Sequence, residues 1–126
     1  MKQAGTIARV ILGLIFFVFG LNGFLNFIPV PPPPEAGMKF LGALAGTGYF
    51  LPFLKSVEVL GGLALLTNMF APLALIILAP IIINIFLYHF FLAPEGLILP
   101  VAMVALALFL GHTFRASYKS ILRPKP

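Results

Sequence analysis

Between Glu58 and Glu95 the chain runs for 36 residues without one formally charged side chain. As a single helix that stretch would be about 54 Å long at about 1.5 Å per residue, whereas the hydrocarbon core of a bilayer is about 30 Å thick. The run therefore has to fold back on itself, and its one turn-like segment is Thr67-Asn68-Met69-Phe70-Ala71-Pro72. Pro72 suits the first turn of a new helix, and Asn68 tolerates the conformations that end the preceding one. Two apolar spans result, over about 52–68 and about 72–91. Pro80 removes one intrahelical hydrogen bond from the second of these and is expected to kink it.

Two more runs have the same character. One extends from Ala4 to Ile28, interrupted only by Arg9, whose long side chain is expected to snorkel to the headgroups. It is too long for the apolar core of a signal peptide and carries no small-x-small cleavage site, so it reads as a retained first span over 4–28. The other follows the break Ala93-Pro94-Glu95-Gly96 and covers about 97–114. With 61% hydrophobic and 9% charged residues, against about 25% charged in soluble domains, a soluble domain is excluded. The reading is one all-α integral membrane domain over 1–126, a four-helix bundle.

Of the eight basic residues, six lie at the two ends of the chain: Lys2, Arg9, Arg115, Lys119, Arg123 and Lys125. Positive residues concentrate on the cytoplasmic side, so both termini are expected there, in agreement with an even number of spans. Membrane orientation accounts for the net charge of +5 without a nucleic-acid partner. The basic tail could also bind anionic lipid. The connection over 29–51 then lies outside. Pro29 and Pro31 to Pro34 should be extended polyproline, followed by a short interfacial helix over 35–45 that ends at Gly46 and Gly48. Tyr49 and Phe50 are expected at headgroup level.

Polar residues inside the spans collect near one depth. Measured by helical rise from the outer ends of the spans, Asn22, Glu58 and Asn84 lie roughly 9 to 10 Å down, and Asn26 and His89 roughly 3 Å. An ionisable group in a span is costly and should face the interior, and Lys55, three residues before Glu58, can pair with it. Asn22, Lys55, Glu58, Asn84 and His89 are therefore the candidate ligand-binding residues, with Glu58 and His89 available for proton exchange. The same residues can also be hydrogen-bonding glue between helices. Gly20-Leu21-Asn22-Gly23 and Gly61-Gly62 read as sites of close helix packing. The sequence has no Cys and no Asp, which excludes thiol chemistry and a Ser-His-Asp set. No metal site is expected, because His89 and His112 belong near opposite membrane faces.

Taken together, Arg9, Gly13, Phe19-Gly20-Leu21-Asn22, Thr47-Gly48-Tyr49 ahead of Pro52, Lys55-Ser56-Val57-Glu58 with Gly61-Gly62, Ala79-Pro80 and Asn84 with His89 resemble the DoxX family of small bacterial membrane proteins. The resemblance covers nearly the whole chain. It implies a four-helix fold in the bacterial inner membrane and an association with membrane redox systems, since related proteins are described as subunits of a thiosulfate:quinone oxidoreductase or as partners in mycobacterial oxidative-stress complexes. The first expectation is accordingly an accessory subunit, not catalytic alone, that binds a quinone-like or other amphipathic molecule near the outer face. Its partners would be the bilayer, membrane redox proteins and further copies of itself. The alternatives are a scaffolding bundle without ligand and a small-solute or proton pathway, the last disfavoured by the apolar inner halves of the spans.

Overall fold

The computed structural model describes residues 2–125; the side chain of Lys2, counted above among the orienting charges, lies outside the described set. All regular elements are helical: α1 (Lys2–Leu25), α2 (Glu35–Gly46), α3 (Phe50–Thr67), α4 (Ala71–Leu92), a 3-10 turn (Pro94–Gly96), α5 (Ile98–Thr113) and the short α6 (Arg115–Tyr118). Three stretches are long and apolar enough to cross a membrane: Gln3–Leu25, Phe50–Thr67 and Ala71–Leu92. α5 is apolar but has 16 residues.

The boundaries follow from local chemistry. α3 ends in a Schellman motif: Asn68 adopts the left-handed conformation (φ 57°), its N–H donates to Leu65 O, and the Met69 N–H donates to Ala64 O. Asn68 was expected at this turn; less expected is Phe70, a bulky residue also at φ 57°. α1 stops at Leu25, three residues short of the expected Ile28, because Asn26 takes φ 50° and breaks the helical ladder. Pro34 has φ −56° and ψ 163°, the extended conformation anticipated for the proline run, and the helix that follows reaches Gly46. Gly48 turns the chain at φ 80°, a conformation that costs glycine little. α4 runs through Pro80 as one helix.

The four long helices form a closed ring of contacts, in which α1 packs on α3 and α5, and α4 packs on the same two. Leu12, Phe16, Leu65, Leu78, Met103 and Leu110 fill the centre. Little of each helix goes into that core: the buried share of the apolar window is 33% in α1, 22% in α3 and 17% in α4, so most of the apolar surface faces outward. α2 lies against α3 and α4. Gly37 permits this, since a Cβ there would stand 2.5 Å from the Tyr88 hydroxyl, and Phe40 packs on the Tyr88 ring at 5.7 Å between centroids. At the other end, the Tyr118 hydroxyl donates to Pro72 O at 2.7 Å and ties α6 to the start of α4. Burial pushes the Tyr118 phenol above its ordinary range.

Candidate functional site

The tightest seam, between α1 and α3, is made by glycines. A Cβ at Gly62 would lie 2.5 Å from Phe17 N and 2.8 Å from Gly13 O, and one at Gly13 would lie 3.0 Å from Gly62 O. The two backbones therefore touch, as expected of the Gly61-Gly62 pair; Gly61 faces α4 instead, against Leu78. Higher on the seam, a Cβ at Gly20 would meet Val59 and Glu58, and one at Gly23 would sit 2.5 Å from Lys55 Cγ. These two glycines let the stems of Lys55 and Glu58 lie flat on α1.

Glu58 is 4% exposed, facing inward as a charge in a span should. Lys55 Nζ donates to Glu58 Oε1 at 3.2 Å. The lysine side chain keeps 29% exposure, so the pair is covered by α1 on one side and reachable on the other. Asn22, one helix away between Gly20 and Gly23, is also buried. Its Oδ1 accepts from Ile28 N–H at 2.7 Å and its Nδ2 donates to Ile28 O at 3.1 Å. This two-point clamp holds the chain as it leaves α1 towards the proline run, and it occupies both polar atoms of the amide.

Asn84 and His89 are not drawn into that group. His89 Nδ1 lies 2.9 Å from Ile85 O; a carbonyl only accepts, so Nδ1 carries the proton and donates. The ring stands edge-on to Tyr88 at 5.0 Å and backs onto the 3-10 turn, where a Cβ at Gly96 would lie 2.9 Å from its Cδ2 and 3.3 Å from its Nε2. Among the described residues no hydrogen bond or ion pair links His89 to Glu58. Asn84 turns away from the interior: the buried positions of α4 are Ala71, Ala74, Leu75, Leu78 and Ile82, and Asn84 is exposed on the far side of the helix.

One polar residue has a role that sequence reasoning missed. Instead of snorkelling outward, Arg9 directs its guanidinium at the end of α3, where Nη1 donates to Leu65 O and, at 3.2 Å, to Leu66 O. Both carbonyls lie at the negative end of the helix dipole, and that of Leu66 lies beyond the Schellman hydrogen bonds that close α3, so a cation belongs there. The signal available in the sequence was the level of Arg9, which matches the end of the span over 52–68.

Two apolar grooves flank α4. One, of about 260 Å³, lies between α4 and α5 and is bordered by Ile76, Ile83, Val104 and Leu108. The other, of about 310 Å³, lies between α3 and α4 and is bordered by Leu60, Gly61, Leu73 and Ile77. None of the five candidate residues lines either groove. Comparison of the chain with protein-family models, with curated proteins and with solved structures finds no match.

Proposed function

We propose that the chain is a four-span membrane protein acting as a non-catalytic subunit, in which the polar residues at the α1/α3 seam set helix register. The observation that carries this reading is that Arg9 bonds across the seam to the end of α3, while Asn22, Lys55 and Glu58 are engaged within their own segments and, among the described residues, leave no polar group there free for a ligand. Membrane insertion is supported by the outward-facing apolar surface, which exceeds what a water-soluble protein carries exposed. A fourth span is supported by the backbone around α5. Leu97 is already helical at φ −70° and ψ −21°, and α6 starts one residue after Phe114, so residues 97–114 reach about 27 Å. The positive-inside rule puts both termini in the cytoplasm and α2 outside. The resemblance to DoxX proteins supports the inner membrane and a membrane redox assembly as the setting.

A second reading is a quinone-like or other amphipathic ligand at the Lys55–Glu58 pair, favoured by the partial exposure of Lys55. One experiment separates the two. The wild type, Glu58→Gln and the double variant Lys55→Met/Glu58→Gln are extracted in mild detergent, their thermal stability is measured, and co-purified small molecules are identified by mass spectrometry. Under the packing reading Glu58→Gln loses about 1–2 kcal/mol, discounted for the freedom of Lys55 to reach solvent, while the double variant stays within about 1 kcal/mol of wild type. Recovery of one quinone from the wild type and its loss from both variants would establish the ligand reading instead.

A further inference from the structure

The outward side of α4 carries Leu73, Ile77, Pro80, Asn84, Leu87 and Phe91, all exposed. Their spacing is 4, 3, 4, 3, 4, the alternation by which a helix presents a continuous seam to a second helix. Asn84 sits at one of these seam positions and makes no side-chain hydrogen bond among the described residues. Every other residue of the stripe is apolar. A single asparagine in such a seam is the device by which helix pairs specify register and partner number. In hydrocarbon the need is sharper, because a carboxamide with both donor and acceptor unmet has no water to turn to.

We propose that two copies of the chain pair through this face of α4, with the Asn84 carboxamides hydrogen-bonded to each other across a two-fold axis along the membrane normal. The proposal rests on the membrane reading above. A second copy is the occupant for two reasons. A carboxamide is its own complement, since the donor of one copy meets the acceptor of the other. Copies inserted in the same direction also hold Asn84 at the same depth, so a two-fold axis along the normal brings it to itself. The other polar groups near that depth, Asn22, Lys55 and Glu58, are already engaged internally. The 310 Å³ groove bordered by Leu73 and Ile77 lies along one flank of the stripe and gives side chains of the facing helix a place to enter.

The absence of cysteine from the sequence makes the test clean. Single variants Ile77→Cys and Leu87→Cys, with Leu108→Cys on α5 as the off-face control, are oxidised in native membranes. The expected result is a disulfide-linked band at twice the 13.6 kDa chain mass for the two α4 positions and none for the control. Adding Asn84→Leu should cut the linked fraction at least tenfold, adding Asn84→Gln should retain most of it, and neither should move the melting temperature of the detergent-solubilised monomer. Equal linkage at Leu108→Cys, linkage unaffected by Asn84→Leu, or a linked product of another mass would overturn the pairing. Retention of the chain in carbonate-washed membranes is scored in parallel. A retained chain that never links refutes the dimer alone, and a chain washed free refutes the membrane reading as well.

Discussion

The α1/α3 seam and the outward face of α4 are built on opposite principles. In the seam, glycines bring backbone against backbone, and the polar groups of Arg9, Asn22, Lys55 and Glu58 all find partners. On α4, large aliphatic side chains stand outward around one amide that has no hydrogen bond among the described residues. The docking specificity of this chain therefore lies in the seam. Polar and small residues in the seam leave one way to dock α1 on α3, whereas the outer face of α4 is consistent with any apolar solvent except at Asn84. A buried site tolerates no added atom; an outward one tolerates almost any apolar atom.

The contrast can be broken most directly at glycine. Gly62→Ala should cost about 3 kcal/mol or more, since the new methyl meets the Phe17 and Gly13 backbones, which cannot rotate away. Gly111→Ala on α5, with nothing within 4 Å of its added Cβ, should change stability by no more than about 1 kcal/mol and in the stabilising direction. Thermal melts of the two variants in detergent measure the difference, and equal effects would show that the seam is looser than its geometry. Next in size is Arg9→Met, which leaves two helix-end carbonyls without their side-chain donor and should lose about 2 kcal/mol. A loss confined to a few tenths would mean that headgroups or water replace the guanidinium.

Asn22→Ala should lose about 1–2 kcal/mol through the two hydrogen bonds to Ile28, and hydrogen exchange should accelerate at Ile28 before anywhere in α3. Uniform acceleration across α1 and α3 would instead make Asn22 part of the seam itself. Smallest of all is the expected effect of Asn84→Leu on the monomer, within about 0.5 kcal/mol, because the side chain touches nothing in the core. Its consequence belongs to pairing alone.

Much of the architecture was legible in the residue order, because local chemistry dictates it. The reversal at Asn68 to Pro72, the helix after the proline run and the turn at Gly48 all depend on residue types that few other conformations suit. The end of α1 was placed three residues late, since Asn26 sits in an apolar run and its left-handed backbone leaves no mark in hydropathy.

Residue order alone thus marked the all-helical character of the chain and where most of its helices start and stop. Rotation about the axis of α4 emerged only with the packed bundle. α4 is apolar nearly all the way round, so the usual 3.6-residue alternation that marks a buried face is erased, and nothing in the order of residues says that Asn84 turns away while Leu78 and Ile82 turn in. The target of Arg9 was hidden for the same reason: its partners are the backbone carbonyls of Leu65 and Leu66. Backbone groups are identical at every residue, and only the docking of α1 on α3 selects which of them a guanidinium can reach.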